Sequence, residues 1–519
     1  MEEHKTIHLS EANTLSKFLT EEEIHNLVSL KITGFLGKED FEGVLDDMCS
    51  MQGCCDDYDY DNWCPDEENS PALKHLDMGS ATYIDGDELP YFGCCTQLES
   101  CILPQGIKST FEEIEYGDSG FDNSDTLKTL VLPEGLKRVG GFHCCPQLTD
   151  IHLPEGLEEI YYLTFNSCES IKSIRIPASV KHLDGSCFAG SGIAAYEIDS
   201  ANPYFSVIDG VIYSKDLSKL LAFPSAYPYK HFVVPASVKV IGYSAFMESN
   251  LESIDLPQGL TTIESQAFDS SKILRITLPD TVTSIGELAF RFSDIEHIDL
   301  PKGISEIPEK MFSRTTNLRT LEIPSNVRSI EYSAIAFSDG LKHLILHDGL
   351  EEIKTEWRLR VVSSELTDVF LPKTLKKVPY GVFSYSPHIE EFSIDSDNPY
   401  FSVVEGALCS KDGKVLYSVP NCYRRSYCVP EGVEMINTEV FWNFDNMKSL
   451  ELPSSLKEIE FMEYYAYSFK SVIVNATIPP KVSGQLSGAE NIVLYVPKNT
   501  SAAYKNAVGW SDFKIEEQE

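Results

Sequence analysis

The chain is 519 residues long and carries 42 Lys and Arg against 80 Asp and Glu, a formal charge of -38. Such a surface repels nucleic acid and anionic membranes and leaves neutral or basic partners, besides keeping a long molecule soluble. No run of 18 apolar residues is present, so no helical membrane insertion is expected, and the opening MEEHKTIHLSEANTL holds neither the basic nor the apolar region of a secretory signal.

In chain order, residues 11–24 predict a helix, with Ser10 as cap and Leu15, Phe18 and Leu19 on one face. Residues 27–34 (LVSLKITG) predict a strand, and 39–48 a second helix with Phe41, Val44 and Leu45 inward. These pieces do not fit the repeat that follows, so 1–70 is expected to be an N-terminal cap ending in an acidic connector. Within that connector Asp57, Asp59, Asp61 and Glu68 stand at positions 1, 3, 5 and 12 of a calcium-loop pattern. Asn62 replaces the turn Gly and Pro65 stiffens position 9, which favours a solvated connector over a calcium site.

Residues 71–475 are organised by a repeat. Pro235, Pro257, Pro279 and Pro301 recur at a spacing of 22, each in a unit that reads roughly L-x-x-I-x-L-P, then V/L-x-x-I, then A-F, with other apolar letters standing in at some positions. Ile254 and Leu256 flank Asp255, which at strand period puts two apolar side chains on one face and the acid on the other. Pro257 ends that strand because it has no N–H for the ladder. About six apolar side chains at roughly 1.5 to 3 kcal/mol each do not offset the ordering of about 22 residues at roughly 1 to 2 kcal/mol each. One unit therefore cannot fold alone; stacked coils can, as a solenoid. Phe246, Phe268 and Phe290 are expected to stack as an internal column. Cys95, Cys145 and Cys168 fall three residues after a Phe, where later coils hold Ser249, Ser271 and Ser293, so they read as free, buried rungs of a small-residue ladder, and Cys101 and Cys187 as core.

Two insertions, about 198–230 and 394–425, match nearly letter for letter through NPYFSV and predict β-hairpins leaving the coil edge. Tyr204, Phe205, Tyr400 and Phe401 are candidate contact residues there, packing onto their own coil being the alternative use. Residues 476–519 predict a C-terminal cap: a strand IVLYVP, a helix over 501–507, and Trp510 with Phe513 closing the last coil.

Together these letters resemble the BspA-like leucine-rich repeat family of bacterial surface proteins. The likeness runs from about Leu98 to Ile459, through V-x-x-I-x-x-x-A-F and the NPYFSV hairpins, and extends to LKITG near the N-terminus and GWSDF near the C-terminus. It implies a β-rich, right-handed leucine-rich solenoid with one parallel sheet, exposed at the cell surface or secreted, and used for adhesion to a protein or glycoprotein.

No zinc-protease, Walker A, G-x-S-x-G or C-x-x-C motif is present, so a non-enzymatic binding protein without cofactor is the leading expectation. The alternatives are a structural spacer and a carbohydrate-active solenoid enzyme. For the enzyme, Asp255 and Asp299 stand two coils apart, about 10 Å at one coil per strand spacing, at or beyond the wider of the two carboxylate separations used in glycoside hydrolysis. Two residues before each repeat proline a side chain must point out of the sheet. Those residues are Asp255, Thr277, Asp299, Glu322, Ile345 and Phe370, an acidic stripe ending in two bulky apolar residues. They are the candidate binding face, unless the stretch around Trp357 folds over its apolar end.

Overall fold

The computed structural model describes residues 4–49, 72–90, 97–111, 121–149, 151–354, 363–421, 425–442, 444, 447–461, 469–484 and 488–519. The chain forms two compact units, Met1–Lys272 and Ile273–Glu519, and each is a parallel β-solenoid.

The first unit begins with sheet rather than with a helical cap. Strands His4–Leu9, Ser29–Leu36, His75–Tyr83, Ser100–Ile102 and Thr129–Val131 pair in that order, all parallel. His4–Leu9 was not expected: its inward residues Ile7 and Leu9 are buried, but they alternate with polar letters in a stretch too short to carry a strong signal. The helix over 11–24 is replaced by a turn of 3-10 helix at Leu15–Lys17 and an α-helix at Glu21–Asn26. Thr20, not Ser10, is the cap: its hydroxyl accepts from Glu23 N–H while the Glu23 carboxylate accepts from Thr20 N–H. Phe18, expected inward, is 45% exposed. The second helical stretch is present as a π-helical turn, Asp40–Leu45, running into Asp46–Cys49, with Phe41, Val44 and Leu45 buried. Buried Asp40 holds this corner by accepting three backbone N–H groups, from Asn13 (2.7 Å), Leu15 (2.9 Å) and Gly37 (2.9 Å).

Each later coil follows the repeat. After the sheet strand the N–H three residues beyond the proline donates to the proline carbonyl, as Leu260 does to Pro257 at 3.0 Å. The V-x-x-I segment then forms a two-residue strand that pairs parallel with its neighbours, as in Glu159–Ile160 with His182–Leu183. At the corner the phenylalanines stack. Phe121, Phe142, Phe165 and Phe188 lie 5.2, 5.8 and 5.6 Å apart, and Phe223, Phe246 and Phe268 at 4.8 and 5.0 Å. In the second unit Phe290 stacks on Phe312 at 5.9 Å. The small rung beside each ring has a chemical reason. Cys145 and Cys168 donate to the carbonyls of Phe121 and Phe142, both at 3.2 Å, and Ser338 donates to that of Phe312 at 2.6 Å. In these coils a short side chain with an O–H or S–H fits the space and serves the buried carbonyl, whereas the equivalent Ser249 and Ser271 fill the rung by size alone, their hydroxyls buried without a partner among the described residues. Cys101, Cys145, Cys168 and Cys187 are free and buried; Cys95 lies outside the described residues.

The corners carry one feature the letters did not announce. Non-glycine residues sit at positive φ in pairs four apart, among them Ser244 and Glu248, Gln266 and Ser270, Leu288 and Phe292, Lys310 and Arg314, and Ser333 and Phe337. The tight winding of the coil demands these conformations, and the stacked neighbours hold them in place.

The insertions do not project. Phe205–Ile208 and Val211–Ser214 form the expected hairpin around Asp209–Gly210, but a third strand, Lys219–Ala222, pairs back on it and then runs parallel to Val240–Ile241. The second copy repeats this with Phe401–Val404, Ala407–Ser410, Val415–Ser418 and Met435–Asn437. Each insertion therefore supplies the short strand of its own coil. Buried Asn202 anchors the first by donating to Pro177 and Val180 carbonyls and accepting from Tyr204 and Phe205 N–H, and Asn398 does the same in the second.

The second unit closes on strands Ser426–Cys428, Ser449–Leu452, Ser471–Val474, Val493–Val496 and Lys514–Glu517. The helix is there, over Ser501–Lys505. Trp510 is buried and donates to the Pro480 carbonyl at 2.7 Å. The final strand, Lys514–Glu517, was not anticipated; its acidic, exposed side chains read as a tail.

Candidate partner-binding face

The outward face of the sheet is built by side chains that alternate with the core residues. In the first unit Asp255 is exposed, and His231 on the paired strand approaches it at 3.4 Å while also reaching Ser253 at 2.9 Å. In the second unit Thr277 donates to Asp299 at 2.8 Å, so these two expected stripe residues meet across paired strands.

The densest part lies on strands Thr320–Ile323, His343–Leu346 and Asp368–Leu371 of the second unit. Glu322 is opposite Ile345, and His343 is opposite Asp368. By the same register Ile345 and Phe370 stand side by side, 40% and 52% exposed. His347 reaches Glu322 at 2.7 Å, and His343 lies 3.5 Å from Asp368. An apolar centre is thus framed by two histidine–carboxylate pairs. A shallow open groove lined by Arg319, Asp339, Lys342, His343 and Glu365 shares His343 with this frame. The histidines were missed as site residues, although His231, His297 and His343 each occupy an outward strand position that the repeat spacing makes visible. Trp357 lies outside the described residues.

The insertions divide their aromatic pairs. Tyr204 and Tyr400 are half-exposed, whereas Phe205 and Phe401 are buried, which removes the two phenylalanines as contact residues: each fills the space beneath the strand it begins. Asp57, Asp59, Asp61 and Glu68 lie outside the described residues. Among the described residues no group of three or more His, Cys, Asp or Glu is placed to hold a metal ion, and no helix is long and apolar enough to cross a membrane.

Charge is otherwise organised in inter-coil triads, a carboxylate between two cations. Glu99 bridges Lys128 (2.8 Å) and Lys74 (3.1 Å), Glu158 bridges Lys181 (2.6 Å) and Lys137 (3.1 Å), and Glu434 bridges Lys457 (2.8 Å) and Lys414 (3.4 Å). The flanking lysines hold all three carboxyls below their ordinary range, Glu99 at about 2.

The repeat matches the model of the BspA type leucine rich repeat region over residues 89–206, 221–342, 294–403 and 417–492. The chain belongs to the BspA-type leucine-rich repeat family. No curated protein matches it significantly. Among solved structures it is similar to a leucine-rich repeat protein from Eubacterium ventriosum, with 20% identity, 64% of this chain and 83% of that one covered, and a TM-score of 0.45. It is also similar to one from Bacteroides ovatus, with 20% identity, 70% and 88% covered, and a TM-score of 0.41. A leucine rich cell surface protein from Faecalibacterium prausnitzii matches with 18% identity, 75% and 83% covered, and a TM-score of 0.35. The family assignment rests on the repeat match and not on these superpositions. Members of this repeat class are protein-binding scaffolds, and that coarse role holds here.

Proposed function

We propose that this chain is a non-enzymatic adhesion protein, exposed at the cell surface or secreted, that recognises a protein or glycoprotein through the sheet face of its second unit. The observation that carries the reading is the adjacent pair Ile345 and Phe370, held exposed on rigid strands and framed by His347–Glu322 and His343–Asp368. A large apolar side chain ringed by polar groups is the usual anatomy of an interface centre. Leaving two such side chains in water gains nothing for the fold, since the core on the other face of the same strands is already complete. The partner's own surface is expected to be neutral or basic, because the face is rimmed with acids and the whole chain is acidic.

The test is capture of partners from mucin, matrix proteins and bacterial surface extracts by the purified chain, compared with Phe370→Ala and Asp299→Lys. Loss of a central anchor costs about 2 kcal/mol or more, roughly thirtyfold in affinity, with an unchanged melting temperature because the side chain supports nothing beneath it. Equal capture by wild type and both variants moves the site off this face.

A further inference from the structure

A second surface of the second unit has a different chemistry. At the corner of three successive coils the second positive-φ position is occupied by Phe292, Arg314 and Phe337. The backbone sets them in register: Phe292 N–H donates to the Ser313 carbonyl at 3.0 Å and Arg314 N–H to the Ala336 carbonyl at 2.8 Å. The Arg314 guanidinium lies over both rings, 5.4 Å from the centre of Phe292 and 4.9 Å from that of Phe337, and Arg291 lies over the first ring at 5.2 Å.

Three things set this ridge apart. In other coils the same position holds Ser167, Glu248 and Ser270, small or polar residues suited to the left-handed conformation, whereas a bulky aromatic there is costly. Phe292 leaves 46% of its surface in water. Among the described residues no carboxylate lies within ion-pair distance of Arg314, in a chain with 80 acidic side chains and most of its lysines paired across coils. Its planar fork is clamped by two rings, and among the described residues no side chain uses its donors.

We propose that Phe292, Arg314 and Phe337 form a binding site for a carboxylate-bearing sugar of a polysaccharide or glycoprotein glycan, separate from the sheet face. A sugar ring offers a flat C–H face to the exposed ring, and its carboxylate takes the fork of the guanidinium in the bidentate geometry arginine favours. An acidic peptide brings the charge without the flat face. The net-acidic chain repels any polyanion at long range, so the close contact is expected to show at a salt concentration that screens this repulsion, and what separates a uronate polymer from an acidic peptide is the flat face and not the charge.

The experiment measures binding of the full chain, by calorimetry at moderate salt, to polygalacturonate, to sialyllactose, to neutral dextran and to poly-glutamate. Polygalacturonate or sialyllactose is expected to bind, the two arms distinguishing a uronate from a sialate source, while dextran and poly-glutamate do not. Arg314→Gln and Phe292→Ser are each expected to weaken binding about tenfold or more. Phe292→Ser places at 292 the residue that coil 270 already tolerates, so an unchanged thermal melt is expected and separates lost binding from lost folding. Binding of neither carboxylated sugar, equal binding of poly-glutamate, or unchanged affinity in Phe292→Ser overturns the proposal.

Discussion

Replacing Phe246 by Ala tests whether the corner column holds the first unit together. Phe246 is fully buried between Phe223 and Phe268, with ring centres 4.8 and 5.0 Å away. Its backbone is fixed independently by an N–H bond to the Ala267 carbonyl at 2.7 Å, so the neighbouring coils cannot collapse far into the space the ring leaves. Truncation of a buried Phe costs about 3 to 5 kcal/mol. Two ring contacts at about 0.5 to 1.5 kcal/mol each are part of that figure, which places the expectation in its upper half, about 4 kcal/mol. Phe246→Leu keeps most of the apolar volume and loses the stacking, so about 1 to 2 kcal/mol is expected. Urea melts followed by circular dichroism, read as the shift in midpoint at constant slope, give both values. A loss below about 1 kcal/mol for the alanine variant refutes the reasoning, because it means that the coils close over the gap and that the column is not what sets their spacing.

Two further outcomes are expected. Burial pushes the thiols of Cys101 and Cys187 well up, and the thiol of Cys145 is raised by its neighbour Cys168 and by burial. An alkylating reagent at pH 8 should therefore label exposed Cys428 in the native protein and reach buried Cys101, Cys145, Cys168 and Cys187 only after denaturation, and a non-reducing peptide map that paired Cys145 or Cys168 would contradict the ladder reading. The carboxyls of Glu99, Glu158 and Glu434 are lowered by their flanking lysines, so their contribution is fully present above the ordinary Glu value. It is lost as pH falls through the folded values, towards about 2 for Glu99. Urea midpoints should fall between pH 5 and pH 2.5 by less at high salt, since these exposed triads are screened; an acid dependence indifferent to salt would assign the loss to other groups.

What the letters determined by themselves is the coil. Proline spacing, the two-residue alternation of Ile254 and Leu256 around Asp255, and the recurrence of Phe three residues before Ser or Cys are local patterns, and a repeat that cannot fold alone has to stack on its copy. The outward positions followed from the same alternation, which is why Glu322, Ile345 and Phe370 were legible before any coordinates. What only the tertiary structure decided depends on contacts between residues far apart in the chain. His4–Leu9 becomes a strand because Ser29–Leu36 lies beside it, and the insertions turn inward because Asn202 and Asn398 meet carbonyls of the preceding coil. Phe205 and Tyr204 are neighbours in sequence with opposite fates, since a strand sends successive side chains to opposite faces and only the pairing settles which face is the core. Arg314 is the clearest case: its letter is an ordinary surface arginine, and its setting between two rings exists only because stacking brings Phe292, 22 residues earlier, and Phe337, 23 residues later, onto either side of it.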